Sequence, residues 1–185
     1  MKCVVLSEKF DYDGSQISSL WAYNNFGIQE DSIIVFRGAC DVKIEHMIDL
    51  EDRRANEIIW SEDMISFIIE HFDSTDLKLI YTRQRFFTVM LREYLAELGI
   101  QTTRGGDDLF LNGKKLTVSI ASTSAVSQKI HFGINVSHEV YGNLKEAGIK
   151  EEQISSFMQA LGEKYVREFE DIEKDLRKSR ALGVM

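Results

Sequence analysis

The chain has 185 residues, 44% of them hydrophobic, enough for one domain with a real core. A formal net charge of −8 excludes a broadly basic nucleic-acid footprint. Apolar runs are too short for a membrane span, Met1 to Leu6 is too short for a signal peptide, and Cys3 and Cys40 make no zinc set, so a cytoplasmic protein with reduced thiols is expected.

In chain order, Lys2 to Leu6 reads as a strand and Asp11 to Gly14 as a turn. Ser15 suits the cap of a helix over Gln16 to Phe26. Ser32 to Phe36 is a buried strand that runs into Arg37-Gly38, a pair that suits an anion contact. Val42 to Ile48 continues as a strand containing His46, and Asp49 to Arg54 is a charged turn or short helix. Glu45, His46, Asp49 and Asp52 match no strong ligand spacing and read as a solvated acidic run, with no metal site. Met64 to Phe72 fits a buried strand or a helix capped by Ser61. Asp73 to Asp76 then caps the clearest internal helix, Leu77 to Leu98, which Gly99 ends. Arg83, Gln84 and Arg85 form an exposed polar face in its middle.

The stretch from Arg104 to Val136 carries the chemistry. Arg104-Gly105-Gly106 permits a close backbone approach by a ligand, and Asn112-Gly113 is a tight hairpin signal after Leu109-Phe110-Leu111. Alternation along Lys114 to Ser122 puts Leu116, Val118 and Ile120 on one face and Lys115, Thr117, Ser119 and Ala121 on the other. In Lys129 to Ser137, Ile130, Phe132, Ile134 and Val136 face the core, opposite His131, Gly133, Asn135 and Ser137. Three antiparallel strands follow, one face carrying Lys115, Ser119, His131 and Asn135 as a floor for an anionic ligand. His138 to Gly148 is a loop or short helical piece. A final helix from Glu151 to Arg180, acidic at its start and basic at its end, is long enough to pack on a neighbour, so a homo-oligomer is expected. No repeat or linker divides residues 1–185.

This stretch resembles biotin protein ligases. Their Lys-Trp-Pro-Asn-Asp segment, apolar strand, Arg-Lys-Leu-Ala-Gly strand and Gly-Ile-Asn-Val strand are matched by Arg104-Gly105-Gly106-Asp107-Asp108, Leu109-Phe110-Leu111, Lys114-Lys115-Leu116 and Gly133-Ile134-Asn135-Val136. Lipoate protein ligases share the turn and lysine. The whole chain is identified as a member of a small archaeal and bacterial family, a domain of unknown function, placed beside these ligases and the class II aminoacyl-tRNA synthetase catalytic domains. The resemblance implies an α+β fold, a mainly antiparallel sheet packed with helices, and it selects strand for Met64 to Phe72.

It also implies a function: activating or transferring a small acyl group, with ATP and Mg²⁺ as cofactors. Lys115 takes the catalytic position, stabilising charge between acid and α-phosphate. Asp108 orients Lys115 or holds ribose or magnesium, Arg104 contacts phosphate, and Asn135 matches the strand asparagine. Ser119, His131 and Arg37 join them from strand geometry, Gly105 and Gly106 from the loop. An acceptor protein or tRNA would take the acyl group. The ligases' Gly-Arg-Gly-Arg loop is missing, Gly105-Gly106 replaces Trp-Pro, and Val118 replaces a glycine, which narrows the space for a biotin ring. The alternative is a non-catalytic protein that keeps the fold to bind a ligand, or for assembly or RNA association.

Overall fold

The structure, a computed structural model, describes residues 1–180, 182 and 183. Its elements run β1 (Lys2–Val5), α1 (Trp21–Phe26), β2 (Ser32–Asp41), α2 (Leu50–Ala55), β3 (Trp60–His71), α3 (Leu77–Glu97), β4 (Thr103–Gly105), β5 (Asp108–Leu111), β6 (Lys114–Lys115), β7 (Thr117–Thr123), β8 (Gln128–Ser137) and α4 (Ile154–Lys178). The main sheet has the order β1-β2-β3-β8-β7 and is antiparallel except for the β1-β2 pair. A small sheet, β4-β5-β6, continues into it through Leu116, whose N–H donates to the Leu109 carbonyl at 2.8 Å. No helix among the described residues is long and apolar enough to cross a membrane.

Strand alternation divides the sheet into two faces. Ile33, Val35, Ile65, Phe67, Ile69, Ile130, Phe132 and Ile134 form a core with the apolar stripes of α3 and α4, including Phe87, Leu91, Phe157 and Leu161. Full burial of each such side chain contributes roughly 1.5–3 kcal/mol. Ile34, Phe36, Met64 and Ile68 point the other way and are covered by Tyr12 and Trp21 from the N-terminal segment.

Several buried polar groups on these faces are paired, which offsets the cost of taking them out of water. His71 holds Asp31 through Nδ1 at 2.8 Å and the Tyr165 hydroxyl through Nε2 at 2.9 Å, tying α4 to β3. Burial lowers the His71 pKa despite Asp31. Beside it Arg83 grips Asp73 through two bonds, at 2.7 and 2.6 Å, and holds that carboxyl below its ordinary pKa. On the other face Lys129 and Glu70, each 1% exposed, pair at 3.0 Å.

Several expected elements differ. The helix over Gln16 to Phe26 is broken: Ser15–Ile17 is a single 3₁₀ turn, and α1 starts only after Leu20, which has φ 59°. The Leu20 N–H donates to the Glu70 carboxylate at 3.0 Å, so a tertiary contact overrides local propensity. Val42 to Ile48 holds a 3₁₀ turn at Ile44–His46 rather than a strand. Arg104 and Gly105 belong to β4, and the turn falls at Gly106, φ 67°. The final helix opens with a 3₁₀ turn at Glu151–Gln153 and ends at Lys178.

Candidate functional site

The site is set by a break in alternation at Leu116. Leu116 and Thr117 are both buried, although they are neighbours in an extended segment. The Thr117 hydroxyl accepts the Leu109 N–H at 2.9 Å. Beyond this step the phase is shifted by one residue, and a one-residue shift turns every side chain to the opposite face. Val118 and Ile120 stand across from Gly133 and His131, while Ser119 and Ala121 stand across from Phe132 and Ile130. Ser119 is therefore turned away from the face of His131 and Asn135, although it lines the edge of the first cavity. Its hydroxyl lies on the helix side, donating to Asp107 at 2.9 Å and accepting from Gln84 of α3 at 2.8 Å.

Two adjoining cavities open on the side of Val118 and His131. One, of about 180 Å³, is lined by Tyr12, Asp52, Asp108, Lys115 and His131 among others. The second, about 230 Å³, reaches Trp60, Asn135 and Tyr141. Asp52, Ile59, Lys115 and Val118 line both, so Lys115 stands on their shared wall. Val118 stands in this space, on the wall of both cavities. Met64 fills it further, for a Cβ on Gly133 would meet its sulfur.

Lys115 Nζ lies 2.9 Å from Asp108 Oδ2. Burial pushes the Asp108 carboxyl above its ordinary pKa, against the pull of Lys115. Asp107 is fully engaged, by Arg85 at 3.0 Å, Gln84 at 3.0 Å and Ser119. Asp49 caps α2 through Oδ1, accepting the Glu51 N–H at 2.8 Å. Asp52 is raised by burial and then by Asp49 and Glu57, with Lys115 opposing.

The other expected site residues divide. His131 lines the first cavity but is roofed by Tyr12, the rings stacked at 3.5 Å. Its Nε2 meets Ser66 Oγ at 3.1 Å, and burial lowers its pKa to about 3, so the ring is neutral. Asn135 lines the second cavity and donates to the Gly142 carbonyl at 3.4 Å. Arg104, Gly105, Gly106 and Arg37 line neither cavity. Arg104 bonds the Gly106 carbonyl at 2.6 Å, and Arg37 is clamped by Asp63 and Glu151. Gly38 beside it serves packing rather than an anion, because a Cβ there would strike the Phe10 carbonyl. That close approach lets Phe10 and Tyr12 lie along β2, with Tyr12 N–H on the Ala39 carbonyl at 2.8 Å.

Sequence reasoning missed Tyr12, Asp49 and Asp52. Tyr12 is in a turn-like Asp-Tyr-Asp-Gly run without periodicity, and the two aspartates read as solvated charge. Spatial proximity to Lys115 is what distinguishes them.

The model for Domain of unknown function (DUF366) matches residues 1–180. The chain belongs to this family. Uncharacterized protein MJ0805 of Methanocaldococcus jannaschii is 43% identical over 191 residues, covering 98% of this chain and 86% of the relative. A solved structure, a Protein of Unknown Function from Pyrococcus horikoshi, is 41% identical with a TM-score of 0.92, covering 98% of both chains. More distantly, Ta0514 of T. acidophilum, a putative lipoate protein ligase with bound lipoic acid, matches at a TM-score of 0.63 and 11% identity, covering 90% of this chain and 86% of that one. At that identity the likeness concerns the fold alone. The DUF366 chain thus has the α+β fold of the lipoate and biotin protein ligases.

Proposed function

We propose that the protein binds a small carboxylic acid with its carboxylate on Lys115 and activates or transfers the acyl group. The observation that carries this reading is the place of Lys115, on the wall shared by two cavities with Asp108 as its counter-ion. A lysine so placed holds the carboxylate and stabilises the negative charge that develops on its oxygen during acyl transfer. Asp108 fixes the ammonium in place.

The nucleotide implied by the resemblance does not fit the donors. Among the described residues, Lys115 is the only lysine or arginine lining either cavity, against Asp49, Asp52, Glu57, Asp107 and Asp108. A triphosphate would meet one cation among five carboxylates. Mg²⁺ carried with the phosphates would be needed to offset them. An acyl group that arrives already activated would need no triphosphate: its carbonyl oxygen would take the place of the carboxylate on Lys115 while the acceptor's nucleophile displaces the leaving group, which departs with the nucleophile's proton. A second reading, ligand binding without chemistry, is favoured by the Tyr12 roof over His131.

Calorimetry with short carboxylic acids, with and without ATP and Mg²⁺, tests the reading on the natural chain and Lys115→Ala. Acid binding that disappears in the variant supports it. Binding of Mg²⁺-ATP, followed by pyrophosphate release with an acid, would move the assignment to activation. Acid binding without turnover of any acyl donor would favour the second reading.

A further inference from the structure

We propose that the ligand of this site is an amino carboxylate, a zwitterion whose ammonium group takes Asp52 while its carboxylate takes Lys115. The inference rests on the reading of Lys115 above and adds the substrate class.

The charges around the cavities are not balanced by the protein. Asp107 has Arg85 and Asp108 has Lys115, at 3.0 and 2.9 Å. Asp52 has no ion-pair or hydrogen-bond partner for its carboxylate among the described residues, and it lines both cavities beside Lys115. Asp49 and Glu57 add to the negative field there. A simple carboxylate entering this space finds one lysine that is already paired and an excess of like charge. A zwitterion brings no net charge and supplies the cation that Asp52 lacks.

A second observation points to a polar ligand group in the same place. His131 is only 2% exposed, lines the first cavity and bonds Ser66 through Nε2. Its Nδ1 has no hydrogen-bond partner among the described residues. A ring nitrogen left open on the wall of a cavity, on a residue otherwise buried, is a place for a ligand donor or acceptor. Val42, Met47, Ile59, Val118 and Ile120 supply an apolar part of the first cavity's wall, which suits an uncharged side chain.

A metal ion does not account for the same features. Among the described residues, the cluster with metal-ligand spacing is Asp31, His71 and Asp73, not the cavity aspartates. That cluster already carries a cation, the Arg83 guanidinium on Asp73, and His71 spends both nitrogens on Asp31 and Tyr165.

The test uses matched trios at pH 7.5 in calorimetry: L-alanine, propionate and ethylamine; L-leucine, 4-methylpentanoate and 3-methylbutylamine; L-phenylalanine, 3-phenylpropanoate and 2-phenylethylamine. In at least one trio the amino acid should bind tenfold or more tighter than either half-molecule. Asp52→Asn should remove that advantage and leave the amino acid no better than its carboxylate. Asp52→Glu should restore part of it, and circular dichroism checks that both variants fold. Carboxylates that bind through Lys115 as well as or better than the amino acids overturn the zwitterion and leave the Lys115 reading standing. Amines that bind as well as the amino acids, unaffected by Lys115→Ala, overturn both. No binding in any trio also overturns both.

Discussion

The rings of Tyr12 and His131 lie face to face, centroids 3.5 Å apart and planes 7° from parallel. The stack joins the N-terminal segment to the centre of the sheet and closes one side of the candidate cavity. Tyr12→Ala should destabilise the protein by about 3 kcal/mol, in the usual range for loss of a buried aromatic. Tyr12→Phe keeps the stack and should cost less than about 1 kcal/mol. Urea denaturation measures both. The alanine variant, with a larger cavity, should also bind bulkier acids than the natural chain.

Stability should fall with acid from near neutral pH. His131 and His71 are buried and neutral, with pKa values below the ordinary one, His131 at about 3. An unfolded histidine takes a proton near pH 6.5. The unfolded state therefore binds more protons as pH drops through that value, so the contribution is full above about 6.5 and declines toward the folded value. Between pH 7.5 and 5, His131 alone should account for a loss of about 2 kcal/mol. His131→Gln should flatten this slope in denaturation curves taken at both pH values; an unchanged slope would assign it to other groups.

Breaking the buried Glu70–Lys129 pair should be worse than removing it. Lys129→Met leaves a 1% exposed carboxylate with only the Leu20 N–H and the Ser127 hydroxyl. A loss of roughly 3–5 kcal/mol is expected, with a smaller one for Glu70→Leu combined with Lys129→Met. Because Glu70 also holds Leu20 at its positive φ, the double variant, which removes that acceptor, should loosen the start of α1, visible as faster amide exchange from residue 20 to 26.

Tyr165→Phe tests the tie between α4 and β3. It leaves the buried His71 Nε2 without its 2.9 Å partner, and the expected cost is about 1–2 kcal/mol. A neutral result in thermal or urea unfolding would show that the hydroxyl is not needed there.

Elements with strong local signals were legible in the sequence. Helical spacing with the Asp76 cap located α3, whose Leu79 N–H the Asp76 carboxylate accepts at 2.9 Å, and a continuous apolar run located β2, while for β3 the run fitted strand or helix and the ligase resemblance selected strand. The phase of β7 was not legible, because Leu116 and Thr117 are consecutive buried residues and the alternating pattern of Leu116, Val118 and Ile120 reads equally well without the slip. The same holds for the site. Lys115, Asp108, His131 and Asn135 do line the cavities, since their strand neighbours fix them. Arg37 does not, because its charge is claimed by Asp63 and Glu151, the latter 114 positions away. Such long-range pairing leaves no local mark.

The central claim is that Lys115 anchors a ligand carboxylate. The most direct measurement is calorimetric affinity for the best-binding acid of the matched trios, on the natural chain and on Lys115→Ala at equal stability. Lys115 is 40% exposed, so the variant should stay within about 1 kcal/mol of the natural chain's stability. The account predicts that affinity falls at least tenfold. Equal affinity in a folded variant would contradict it.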